Sequence, residues 1–287
     1  MRSFEDTFGG GKILLGVIHL RALPGSPAHR GGLAGVVTGA VEEARMMAGA
    51  GFGGLIIENY GDIPFLTGRV AAETVAAMAV VAAEVKKAVK IPTGINVLRN
   101  DAESALAIAG ACGCEFIRVN VLVGAFVTSE GLVEGRPGRV ARRREAIAPD
   151  ALILADIMVK HARPLGPTTL GEDALDAVER GRADAVIVTG PRTGRPPAMD
   201  DLETVRASLK GAGLGVPILV GSGAEPSNAE DFLRLADGLI VGSYIRRGGM
   251  AGERLDGDRT REMGNLARRV APMGAPRRAQ RKRARRG

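Results

Sequence analysis

Pro217-Ile218-Leu219-Val220-Gly221-Ser222-Gly223 is a short apolar run that stops on glycine and serine. Asn228–Leu235 then has the spacing of a helix, and Leu239-Ile240-Val241-Gly242-Ser243 repeats both the run and the stop. Continuous apolar strands need cover on both faces, so strand, helix, strand in this order implies a parallel sheet. The same unit recurs upstream. Ile13–Ile18 ends at His19, Gly54–Ile57 at Glu58-Asn59, Ile91–Ile95 at Asn96 and Phe116–Val119 at Asn120. Leu152–Ala155 ends at Asp156, and Ala185–Val188 at Thr189-Gly190. Eight such runs in 287 residues predict a closed (β/α)8 TIM barrel of the α/β class, in a single domain. In that fold every strand's C-terminal end opens on one mouth, so the polar terminators converge there.

The net charge of +7 is misleading until it is located. Arg277, Arg278, Arg281, Lys282, Arg283, Arg285 and Arg286 hold seven positive charges, and without them 32 basic residues face 32 acidic ones. The body is formally neutral. This divides the chain into a lead-in over 1–11, the barrel over 12–270 and a basic tail over 271–287, expected to be disordered and solvated. Such a tail can contact an anionic membrane or a polyanion. Only 3% of residues are aromatic, which leaves few stacking platforms and argues against a dedicated nucleic-acid domain. The most apolar helix, around Arg69–Lys90, carries Glu73, Glu84, Lys86 and Lys87 and is too interrupted to span a bilayer. Acids near Met1 stand where a signal peptide would be basic and apolar, so a cytoplasmic location is expected, with peripheral membrane contact as the alternative. Cys112 and Cys114 read as structural thiols.

Two glycine–serine turns after the seventh and eighth strands carry the sharpest chemical signal. Glycine allows close backbone approach, and exposed N–H groups favour an anion. Gly221, Ser222, Gly223, Gly242 and Ser243 are therefore expected to cradle a phosphate, as these loops do in many barrels. Asp62, Arg118, Thr189 and Gly190 are expected to help bind the substrate. His19, Glu58, Asn96, Asn120 and Asp156 end the other strands, with Lys160 and His161 just beyond. The favoured acid–base pair is Glu58 with Asp156, and Lys160 or His161 is its charge partner. A Schiff-base role for Lys160 is the covalent alternative. No cofactor is expected, although a divalent ion fits if His19, Glu58 and Asp156 converge. The long segment Val121–Gly138 reads as a hairpin that serves as a lid, a static cover or a subunit contact.

Several stretches resemble the BtpA family, known for photosystem I biogenesis proteins. They are Gly16-Val17-Ile18-His19-Leu20, Leu23-Pro24-Gly25-Ser26-Pro27, Ile57-Glu58-Asn59-Tyr60-Gly61-Asp62-Ile63-Pro64-Phe65 and Gly94-Ile95-Asn96-Val97-Leu98-Arg99-Asn100-Asp101. Phe116-Ile117-Arg118-Val119-Asn120 and Ala155-Asp156-Ile157-Met158-Val159-Lys160-His161-Ala162 continue the likeness, which spans roughly 12–270. It implies a ribulose-phosphate-binding type of barrel. It also implies a part in the accumulation of a membrane complex, although some relatives are labelled nucleosidases or sugar-catabolism proteins. The residues favour an enzyme acting on a phosphorylated sugar or nucleoside-like metabolite by lyase, isomerase or nucleosidase chemistry. The alternative is a non-catalytic biogenesis or stability factor. Assembly into a homo-oligomer stays open.

Overall fold

A computed structural model describes residues 2–159 and 161–270. Eight parallel strands close into a barrel in which each unit's helix covers the next gap. They are β1 (Ile13–His19), β2 (Gly54–Glu58), β3 (Thr93–Asn96), β4 (Phe116–Val119), β7 (Leu152–Ile157), β9 (Ala185–Val188), β10 (Ile218–Val220) and β11 (Gly238–Val241). β1 closes the ring by pairing with β11 on one side and β2 on the other, Leu15 facing Ile240 and His19 facing Glu58. The eight runs seen in the sequence are these eight strands. The outer layer is α2 (Leu33–Ala50), α3 (Ala72–Ala88), α4 (Ala102–Cys112), α5 (Pro137–Ile147), α6 (Leu170–Glu179), α7 (Met199–Gly211), α8 (Ala229–Leu235) and α9 (Gly257–Val270). Small residues let these helices sit close. A Cβ on Gly264 of α9 would lie 2.0 Å from the Ala50 carbonyl oxygen.

Side chains alternate along each strand, so one set packs under the helices and the other fills the barrel. Ile13, Leu15, Val17, Ile56, Phe116, Leu152, Leu154, Ile187, Leu219 and Ile240 form the interior cluster. The lead-in over 1–11, for which the sequence predicts no element, is partly helical. It contains α1 (Phe4–Phe8), started by a reciprocal cap between Ser3 and Asp6. Phe4 and Phe8 pack against the interior cluster, with the Phe8 ring edge-on to Phe116 at 5.3 Å. The helix thus plugs the barrel floor.

Val121–Gly138 does contain a hairpin, β5 (Ala125–Thr128) with β6 (Gly131–Glu134). A third strand, β8 (Ala162–Pro164), joins β5 antiparallel and was not anticipated, because three residues carry no readable period. Phe126 and Val133 on the inner face pack with Val121 and Val159. Burial raises the Cys114 thiol to about 12, which makes it inert in keeping with a structural role. Among the described residues no helix is long and apolar enough to cross a membrane. The basic tail lies outside the described residues.

Phe116 fits because its β3 neighbour is Gly94, where a Cβ would fall 2.2 Å from the Phe116 ring. Gly94→Ala is expected to cost about 1–3 kcal/mol through overpacking. A shift in the urea midpoint would measure it, and Phe116→Leu added to Gly94→Ala should recover part of the loss.

Candidate functional site

The alternation that fills the barrel also delivers the next layer up. His19, Glu58, Asn96, Arg118 and Asp156 occupy inward positions at the strand ends, continuing the Leu15–Val17 and Leu152–Leu154 side of their strands. Arg118 is the centre of the cluster. Its Nε donates to Asp156 Oδ1 and its Nη2 to Asp156 Oδ2, both at 3.1 Å, a bidentate pair. Its Nη1 lies 4.0 Å from Glu58 Oε2. Both carboxylates expected to form the acid–base pair therefore meet on one guanidinium. Desolvation works against the buried Arg118 cation, but the charges of Asp156 and Glu58 outweigh it and raise the pKa above the ordinary arginine value.

The two acids differ in access. The Asp156 side chain is 0% exposed, and its Oδ2 also accepts from Asn120 Nδ2 at 2.6 Å. It does not line the cavity at the mouth. The expected catalytic pair is corrected on this point, since Asp156 sits beneath the cavity and holds Arg118 and Asn120 in place. Glu58 does line the cavity. Its Oε2 accepts from Asn96 Nδ2 at 2.6 Å, and Asn96 itself lies below the lining. Asn120 lines the cavity, and its Oδ1 is buried with no hydrogen-bond partner among the described residues.

That cavity measures about 460 Å³. Its far wall is made by Gly221, Ser222 and Gly223 from β10 and by Gly242 and Ser243 from β11. The glycines create the space. A Cβ at Gly242 would stand 3.2 Å from the His19 ring, and one at Gly221 would lie 2.5 Å from Ile187 and 3.6 Å from Arg118. Ser243 has no side-chain hydrogen bond among the described residues, whereas the Ser222 hydroxyl donates to Arg195 O and accepts from Gly190 N, both at 2.8 Å. Ser222 lines the cavity while its hydroxyl clasps a neighbouring loop. Thr189 and Gly190 are corrected, since both lie outside the lining, with Gly190 in close contact with Arg195 and Pro196. Asp62 is corrected too. Its carboxylate accepts from Leu23 N at 2.7 Å and from Asn59 Nδ2 at 3.0 Å, which pins the loops after β1 and β2.

His19 stacks on Tyr60 with ring centroids 4.4 Å apart, and its Nδ1 accepts from Gly252 N at 3.1 Å. In the neutral ring that contact leaves the proton on Nε2, the atom beside Gly242. His161 reaches the cavity, but its Nε2 accepts the Thr193 N–H at 3.1 Å and so bridges two loops. Lys160 lies outside the described residues. Two of the three side chains named for a divalent ion, Glu58 and Asp156, have the Arg118 guanidinium between them. No three of His, Cys, Asp or Glu form a ligand set among the described residues.

Tyr60, Glu130 and Arg259 line the cavity and were absent from the sequence-based set, and Arg99, in the loop just beyond the third strand, lines it too. Tyr60 was discoverable, since it lies two residues beyond Glu58; burial and then the Glu58 charge raise its pKa, so it stays a neutral donor. Arg259 gave no signal. It comes from α9 and is placed by Nη1 donating to Tyr244 O at 3.2 Å, with its guanidinium over the Tyr244 ring. Arg246 and Arg247 follow the Gly242-Ser243 turn closely in the chain but do not line the cavity. Arg246 is instead fully buried, paired with Glu43 at 3.0 Å and donating to Val17 O at 2.8 Å.

Comparison with known proteins agrees with this architecture. The chain is 43% identical to the photosystem I biogenesis protein BtpA of Synechocystis, covering 88% of this chain and 86% of that one. It is 46% identical to an uncharacterized protein of Archaeoglobus fulgidus, covering 90% and 99%. A Caenorhabditis elegans protein described as mitochondrial is 32% identical, covering 86% and 90%. Among solved structures, phosphoribosylanthranilate isomerase from Thermus thermophilus superposes with a TM-score of 0.53 at 14% identity, covering 89% and 98%. A KDPGal structure does so with 0.52 at 17%, covering 90% and 96%. At those identities the likeness concerns the TIM-barrel fold alone. The BtpA family as a whole matches residues 11–269, and the chain belongs to that family.

Proposed function

We propose that this protein is an enzyme that binds a phosphorylated sugar or nucleoside-like metabolite at the barrel mouth and acts on it by acid–base chemistry. One observation carries the reading: a single cavity has a carboxylate, a guanidinium and an amide on one wall and two glycine–serine turns on the other. Backbone N–H groups at Gly223, Gly242 and Ser243, with the Ser243 hydroxyl and Arg259, supply the phosphate cradle. Glu58 is the general base. No hydrogen bond occupies its Oε1 among the described residues, and Asn96 fixes its orientation through Oε2. Arg118 stabilises negative charge as it develops on a substrate oxygen, held ready by Asp156. Tyr60 and His19 Nε2 are proton donors on the same side. Lyase, isomerase and glycosidic-bond chemistry all use such a base beside such a cation.

The Synechocystis relative's name supports a second reading, a factor in assembling a membrane complex. Relatives in an archaeon and an animal favour the metabolic one, because a nematode builds no photosystem. The variant Glu58→Gln separates the two. If the only role is assembly, this variant will complement a deletion strain as well as the parent does. If the role is catalytic, it will not.

A phosphorylated ligand at a hundred times its Kd should stabilise the fold by about 2.7 kcal/mol, seen as a rise of several degrees in Tm. Indifference to every sugar phosphate and nucleotide would remove the proposal. The two acids should also part in stability. Asp156→Asn leaves Arg118 buried beside an uncharged partner and is expected to cost about 3–5 kcal/mol in denaturant unfolding. Glu58→Gln should cost at most about 1 kcal/mol.

A further inference from the structure

The cavity floor has a polarity that narrows the substrate class. A carboxylate oxygen can only accept, so the Asn120 amide must present Nδ2 to Asp156, which leaves Oδ1 as the unpartnered end of a residue that lines the cavity. That oxygen is a buried acceptor with no donor among the described residues. Glu58 Oε1 beside it is a second acceptor. Arg118 uses two of its five N–H donors on Asp156, and its Nη1, 4.0 Å from Glu58, is beyond hydrogen-bond reach of that carboxylate. One cation between two carboxylates leaves the floor with a formal charge of −1. The opposite wall has glycine backbone, the Ser243 hydroxyl and the Arg259 cation.

Building on the phosphate-binding reading above, we infer that the ligand enters with its phosphate on the glycine–serine turns and an uncharged, hydroxyl-bearing end on the floor. There Asn120 Oδ1 accepts a hydroxyl proton, and Arg118 donates to a neighbouring oxygen. The site therefore takes monophosphorylated polyhydroxy compounds. It rejects those with a carboxylate or a second phosphate at the far end, because the floor's net negative charge repels them and Asn120 has no proton to offer.

Calorimetric titration of the full chain with matched probes tests this. Ribose 5-phosphate is compared with 5-phosphoribonate, glucose 6-phosphate with 6-phosphogluconate, and both sugars with pentyl phosphate and inorganic phosphate. At least one sugar phosphate should bind about tenfold or more tighter than its carboxylate counterpart and than pentyl phosphate. In Asn120→Ala the advantage over pentyl phosphate should shrink, with inorganic phosphate binding unchanged. If the carboxylate or alkyl probes bind as tightly as the sugars, the floor assignment is overturned and the phosphate cradle stands. If all six probes fail to bind, the cradle falls and the floor assignment with it. Where Asn120→Ala does not fold, the probe series on the unaltered protein decides.

Discussion

A guanidinium buried at the top of a barrel has to be neutralised where it stands, and Arg118 sets the arrangement of everything around it. Removing a cation from water is expensive, and it is tolerated only with close, well-aligned partners. Asp156 meets that need with two parallel hydrogen bonds and surrenders its own solvent access in doing so. Asn120 then saturates Asp156, and Asn96 does the same for one oxygen of Glu58. Each polar group in the cluster is oriented by the next. The outcome is a wall in which the groups left without a hydrogen-bond partner among the described residues are Glu58 Oε1, Asn120 Oδ1 and the unused side of Arg118.

The opposite wall is defined by missing side chains. At the inward positions where β10 and β11 could project bulk, Gly221 and Gly242 project nothing. Below, the reverse holds. Gly94 makes room for Phe116, and Phe8 closes the floor from outside, so the interior is packed up to the level of Arg118 and hollow above it. Cavity position thus follows from the alternation of large and absent side chains along strands that all share one register.

The barrel was legible because each strand is a short, unbroken apolar run with a polar end, a pattern imposed by burial on both faces. The converging strand ends were legible for the same reason, and Glu58, Asn120, Gly242 and Ser243 all line the cavity. What sequence could not convey is the state of each group once assembled. Asp156 and Glu58 look equivalent in the chain, yet only contacts from other strands show that one is consumed by Arg118. Ser222 and Ser243 end two matching turns, but Ser222 is taken by a loop from the preceding unit. Arg259 reaches the site from a helix with no periodic or motif signal, and α1 is too short to stand out from a polar lead-in.

The rim is stitched loop to loop. Ser222 holds the chain around Gly190 and Arg195, His161 holds Thr193, and Gly252 holds His19. Successive βα units are joined by these clasps, so most of the ordering cost of the mouth is incurred in folding and not in binding. The hairpin differs. Its base is fixed by Phe126 and Val133, but its tip brings Ser129 and Glu130 to the cavity, where Glu130 lies 3.7 Å from Arg99. The cavity floor and the glycine–serine turns are therefore held in place by the fold, and the hairpin tip is the part with the fewest such ties.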